Sequence, residues 1–219
     1  MHVVGDDGAA APAAQEMGRE SQPEWSIEPL TLEKVGILAK VTEEGFGTKV
    51  CCCCCPVADG TKERMQKYYT KHPERQPLCG LAVGKDGVGL GFVAMAIHPM
   101  NDKDGLHETK PGEAYVEQLA VATAARGKGI GKALLEWAEA KAREHGCTQL
   151  TLAVLNGNRA IHLYERFGFK TVDTDPIEMC CTAFVVCFLM GRPYGLCDPH
   201  VGSVDMVKVL APVQTAGSS

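Results

Sequence analysis

Val121-Ala122-Thr123-Ala124-Ala125-Arg126-Gly127-Lys128-Gly129-Ile130-Gly131-Lys132-Ala133-Leu134-Leu135 joins a short apolar strand to an amphipathic helix. Glycine stands at three alternate positions, Gly127, Gly129 and Gly131. The helix begins without a side-chain cap. A helix start leaves up to four backbone N–H groups unpartnered, and no Ser, Thr, Asp or Asn stands between Arg126 and Leu135 to accept from them. Glycine lets a bulky anion approach the backbone. The helix dipole, with Lys128 and Lys132, favours negative charge there. The segment is therefore expected to cradle a phosphate. The plain alternative is a glycine-rich turn that lets the helix pack closely on the strand.

Spacing narrows the ligand. A dinucleotide fingerprint needs Gly-x-Gly-x-x-Gly. Counted from Gly127 the third glycine position holds Lys132, and counted from Gly129 it holds Leu134. A Walker A loop needs a glycine ahead of its Gly-Lys pair and Ser or Thr after it. Around Gly131-Lys132 those places hold Arg126 and Ala133. Both nucleotide patterns fail. What remains is Arg-x-x-Gly-x-Gly (Arg126, Gly129, Gly131), which resembles the pyrophosphate-binding motif of the GCN5-related N-acetyltransferase (GNAT) superfamily.

A second segment carries the same resemblance. Asn156-Gly157-Asn158-Arg159-Ala160-Ile161-His162-Leu163-Tyr164-Glu165-Arg166-Phe167-Gly168-Phe169 is similar to the Asn…Ala-x-x-Leu-Tyr-Glu-x-x-Gly-Phe segment of GNAT enzymes. Asn158 can cap a helix in which Ala160, Leu163, Tyr164 and Phe167 share a face, and Gly168 closes it with Phe169 folding back. Along the whole chain, strands are expected at 25–30, 78–83, 90–98, 114–121, 149–155, and near 169–172 and 180–190. Helices are expected at 32–42, 61–71, 158–167 and from Ile130 to a stop at Gly146. This order, β-α-α-β-β-β-α-β-α-β-β, is a mixed α/β plan. It matches the GNAT fold, a mixed central β-sheet with splayed central strands (114–121 and 149–155) flanked by α-helices. The N-acetyltransferase domain is expected over 23–190. A disordered extension rich in Ala, Gly, Gln and acidic residues precedes it over 1–22, and a loosely held tail with some local pairing follows over 191–219.

The resemblance implies transfer of acetyl from acetyl-CoA, as co-substrate, to a primary amine by direct attack in a ternary complex. It assigns backbone groups of Leu119, Ala120 and Val121 to the pantetheine arm. The amides of Gly127, Lys128, Gly129, Ile130, Gly131 and Lys132 fall to the pyrophosphate, with Arg126 at the motif's Gln/Arg position acting on the loop. Asn158 would face the pantetheine. Tyr164 is the family's general acid, and with a reference pKa near 10 a tyrosine arrives protonated. The alternatives for Tyr164 are CoA contact without proton transfer, or simple packing. Strand alternation places Glu113, Tyr115, Glu117, Leu119 and Val121 on one face. Glu117, a carboxylate in an otherwise apolar strand, is then the candidate base acting through water, with a surface or ion-paired glutamate as the alternative. His98 and His107 are lesser candidates. A non-catalytic acyl-CoA sensor or scaffold on this fold would share the cradle but not the chemistry. The amine acceptor, small molecule or protein, has no signature.

Composition bounds the rest. The 219 residues suffice for one domain with a real core. Apolar content of 45% and charged content of 22% are those of an ordinary soluble protein. A net charge of −5 argues against nucleic acid and is compatible with an amine acceptor. The longest apolar run, 180–190 apart from Thr182, is too short to span a bilayer. Residues 1–20 lack the basic-then-apolar order of a secretory signal, and Asp6, Asp7, Glu16 and Glu20 speak against a mitochondrial presequence. Five of the eleven cysteines are consecutive, Cys51 to Cys55. Neighbours on an extended chain point to opposite faces, so the run does not supply zinc spacing and no metal is expected. Free thiols in a reducing cytoplasm are expected. The cysteine run reads as a low-complexity loop, with lipidation or oxidative sensing as the alternative. Nothing indicates an oligomeric state.

Overall fold

The structure, a computed structural model, describes residues 24–46, 61–99, 107–155, 158–172 and 203–211. The expectations for 1–22, for Cys51 to Cys55 and for a strand at 180–190 lie outside the described residues. Among the described residues seven strands form one open sheet, in spatial order β1 (Trp25–Pro29), β2 (Cys79–Gly84), β3 (Gly89–Ile97), β4 (Glu113–Val121), β5 (Gln149–Leu155), β7 (Ser203–Val209) and β6 (Lys170–Thr171). Strands β1, β2, β3 and β4 run antiparallel in sequence. The turn joining β2 to β3 puts Gly87 at φ 78° and closes with Gly84 N–H on the Val88 carbonyl at 2.9 Å. Helix α3 (Ile130–Glu144) then crosses over to β5 (Gln149–Leu155), which lies parallel to β4.

Alternation along the strands builds a core on each face. Leu81, Phe92, Ala94 and Ala120 pack with Val35, Leu38 and Val41 of α1 (Val35–Phe46) and Tyr69 of α2 (Thr61–Lys71). Their neighbours Ala82, Val93 and Met95, with Val116, Leu150 and Leu152, pack with Ile130, Leu134, Leu135 and Ala138 of α3. Tyr164 of α4 (Ile161–Phe167) joins that second core. Gly168, at φ 96°, ends α4 and turns buried Phe169 back against Phe167, the rings 6.2 Å apart.

Two expectations are corrected. The tail over 191–219 was expected to be loosely held with some local pairing; its described residues are more ordered than that, Ser203–Val209 forming β7 between β5 and the short edge strand β6 (Lys170–Thr171). It pairs with the whole of β5, buries Met206, and is clamped by Lys208, whose Nζ lies 2.6 Å from Glu139 Oε2 on α3 and 3.8 Å from the Phe167 ring centroid. The second correction is in β4. Ala94 of β3 opposes Gln118, while the next residue, Met95, opposes Val116. Glu117 is therefore the extra residue of a β-bulge. The bulge breaks the alternation, so Glu113 and Tyr115 do not share a face with Leu119 and Val121; the latter pack with Val116 against the α3-side core.

The same bulge accompanies the opening of the sheet. Pairing of β4 with β5 runs from Glu113↔Gln149 to Val116↔Leu152 and stops. Beyond it both strands continue, β4 to Val121 and β5 to Leu155. A bulge bends its strand and increases twist, which carries the end of β4 away from β5. The splay expected between these strands begins at the bulge.

Candidate active site

The end of β4 leads straight into the glycine segment. Gly127 and Gly129 have φ of 78° and 80°, the left-handed region that glycine alone occupies freely, and a Cβ on either would meet nothing within 4 Å. Gly129 is the N-terminal residue flanking α3, and no side chain caps the helix. The first backbone bond there is Ala133 N–H to the Gly129 carbonyl at 3.1 Å. Among the described residues the six preceding amides, Gly127 to Lys132, take no acceptor. Arg126 is exposed and folds back along the chain, its Nε donating to the Val121 carbonyl at 3.2 Å, so its side chain braces the loop. Lys128 and Lys132 are exposed, Lys132 pairing with Glu136 at 2.8 Å. This is an open rim of N–H donors and positive charge with space in front of it.

Helix α4 borders the rim. A Cβ on Gly131 would stand 3.1 Å from Leu163 Cδ2 and 3.7 Å from Val121 Cγ2, so the starts of α3 and α4 and the end of β4 converge. Tyr164 follows Leu163. Its ring is buried, 7% exposed, and edge-on to Phe169 at 5.9 Å. Its hydroxyl bonds to no described residue, yet among the described residues no sealed side-chain polar atom lacks a partner. The hydroxyl therefore reaches an accessible surface. Burial pushes its pKa above the ordinary tyrosine value, which keeps it protonated. Asn158 is exposed, and its Oδ1 accepts from Ala160 N–H at 3.0 Å, opening the turn that starts α4.

Glu117 sits where the sheet opens. Arg75 Nη2 donates to both its carboxylate oxygens, at 2.5 Å to Oε1 and 2.6 Å to Oε2. Arg75 is 4% exposed against 29% for the Glu117 side chain. The arginine comes from a 3-10 segment, Pro73–Leu78, between α2 and β2, and its Nε donates to Tyr68 Oη at 3.1 Å. The ion pair weighed as the alternative for Glu117 is present.

Comparison with known proteins bears on this arrangement. The model of the acetyltransferase (GNAT) family matches residues 51–169, more than half of the sequence. The chain belongs to this family. Streptothricin acetyltransferase of Streptomyces lavendulae is 40% identical over 96 residues, 43% of this chain and 46% of that protein. Spermine/spermidine N(1)-acetyltransferase of Bacillus subtilis is 30% identical over 87 residues, 39% of this chain and 55% of that one. The GNAT chain thus spans about half the length of these relatives. Its fold is similar to that of the PaiA N-acetyltransferase of Thermoplasma acidophilum, solved in complex with coenzyme A, at TM-score 0.58, 19% identity, 85% coverage of this chain and 99% of that one.

The remaining expected residues of this GNAT chain separate from the opening. His107 Nε2 lies 3.0 Å from Glu113 Oε1 and its ring stacks on Tyr115 at 4.2 Å, while His98 Nδ1 lies 3.1 Å from the Thr109 carbonyl. Both histidines are engaged in local structure. Glu113, buried, also accepts from Thr151 Oγ1 at 2.5 Å and from Lys110 N–H at 2.8 Å. Burial alone would raise its pKa, but the Thr151, Lys110 and His107 hydrogen bonds outweigh it and hold the carboxyl below its ordinary value. Tyr115 is pushed up to about 12 by burial first and then by Asp205 and Glu117. Arg75 and Tyr68 carried no signal in the sequence beyond a lone arginine between Pro73 and Pro77. Among the described residues no group of three or more metal-ligating side chains converges, and no helix is long and apolar enough to cross a membrane.

Proposed function

We propose that this protein transfers an acetyl group from acetyl-CoA to a primary amine by direct attack in a ternary complex. The observation that carries the reading is the rim of unpartnered amides at Gly127 to Lys132, opening beside the point where β4 leaves β5. A diphosphate takes its hydrogen bonds from those amides and its charge balance from Lys128 and the helix dipole. The edge of β4 over Leu119, Ala120 and Val121, freed from β5, offers backbone groups to an extended pantetheine arm. Asn158 borders the same arm from the start of α4.

Two side chains serve the chemistry. The amine nitrogen bonds to the thioester carbonyl carbon, and the carbon–sulfur bond breaks. Tyr164 Oη gives its proton to the departing sulfur. Glu117 takes the proton lost by the amine through an intervening water. The acceptor is a nitrogen nucleophile, a reading supported by the name of the Bacillus relative, spermine/spermidine N(1)-acetyltransferase. The buried free thiols of Cys79 and Cys147 suit a reducing, cytoplasmic setting. The test is acetyl-CoA turnover, read as thiol release, across polyamines, aminoglycoside-like amines, lysine peptides and N-terminal peptides. Acetylation of at least one amine class is expected. Tight CoA binding with no acetylated amine would contradict the catalytic reading and leave a binding protein.

A further inference from the structure

Glu117 has an unusual mechanical position. It is the bulged residue, opposite no residue of β3, and it lies one step past the last β4–β5 pair. Strand pairing on either side therefore does little to fix where its carboxylate points. What fixes it is Arg75, which spends one nitrogen on both carboxylate oxygens at 2.5 and 2.6 Å. Arg75 is in turn oriented from α2, because its Nε donates to Tyr68 Oη at 3.1 Å. The Tyr68 ring is itself held, 5.2 Å from Tyr69 and 4.9 Å from the His72 ring. The linkage crosses 42 residues of sequence and joins α2 to the opening of the sheet.

Taking a guanidinium out of water is costly, and its repayment needs a paired, hydrogen-bonded partner. A purely structural stitch could recruit any backbone carbonyl or a fully buried carboxylate. Here the partner is instead the part-exposed carboxylate at the mouth of the slot. We propose that Arg75, oriented by Tyr68, is a positioning residue that holds the Glu117 carboxylate toward the incoming amine. The inference rests on the acetyl-transfer reading above. With one Arg75 nitrogen bound to both oxygens, the Glu117 carboxylate still has lone pairs to accept from a water or an ammonium proton.

The test is a double-mutant cycle of Arg75→Met and Glu117→Gln, read as kcat and KM for the best amine, with CoA affinity and Tm measured on every variant. Arg75→Met is expected to lower kcat/KM for the amine about 10- to 100-fold, as misplacement of a reacting group does, with CoA affinity unchanged. In the Glu117→Gln background the same change is expected to cost nothing further, and Arg75→Lys to recover part of the loss. Should Arg75→Met fail to bind CoA, Tyr68→Phe takes its place, with a smaller loss that Glu117→Gln again abolishes. Wild-type-like amine kinetics in a CoA-binding variant, or a loss that adds in full to that of Glu117→Gln, would overturn the proposal. Failure of the acetyl-transfer reading is a different result, no turnover by the wild type, and takes the proposal with it.

Discussion

Tyr164 divides its work between ring and hydroxyl. The ring packs beside Phe169 in the α3-side core, while the hydroxyl reaches an accessible surface with no partner among the described residues. Tyr164→Phe keeps the packing and removes only the proton donor. The expected result is a fall in kcat of about 100-fold or more, the scale of general-acid catalysis, with Tm and CoA affinity close to wild type. Steady-state kinetics and a thermal melt decide it; retained kcat would reduce Tyr164 to a packing residue. Lys128 gives a complementary test of charge at the rim. It is exposed, so Lys128→Glu leaves the fold intact and is expected to weaken CoA several-fold, a loss that shrinks as salt screens it. Titration calorimetry at low and high ionic strength measures it.

At the scale of elements, the strand–loop–helix unit was legible because its physics is local. Missing caps, alternate glycines and an amphipathic helix all lie within one short stretch, and the structure returns α3 from Ile130 with Gly129 before it. The bulge at Glu117 was not legible, because it exists only in the register of β4 against β3. The Arg75–Glu117 pair was hidden for the same reason, its partners lying on different elements. Strand β7 is another matter. Val204, Val207 and Val209 around Met206 are strand-forming residues, and the polar Asp205 and Lys208 between them blurred the pattern. The junction of β4 and β5 makes its own prediction through Glu113. A carboxyl held below its ordinary value in the fold adds stability above that value and loses it as pH falls through the folded value. Glu113→Gln has no such group to titrate. Its unfolding free energy is therefore expected to change less than wild type between about pH 5 and pH 2.5, as denaturant titrations would record; equal slopes would show that the Thr151 and His107 bonds contribute nothing linked to protons.

At the scale of the whole molecule, the sheet takes in residues well past 190. Strand β7 completes β5 along its full length, and Met206 and Leu210 are among the most buried side chains of the α3-side core. Deleting one such side chain costs about 2–5 kcal/mol, against a total stability of about 5–15 kcal/mol for an ordinary domain. A chain stopped at 202 is expected to lose its cooperative thermal transition, followed by circular dichroism. A truncated chain that melts like the full one would show that β7 is dispensable.

The backbone amides at the start of α3 are proposed to grip a diphosphate, and amide resonances report on that directly. On titration of the isotope-labelled full chain with coenzyme A, the N–H signals of Gly127, Gly129 and Gly131 are expected to move downfield together, at one saturating concentration. Signals at these three glycines that stay in place while shifts gather elsewhere on the sheet would contradict the account.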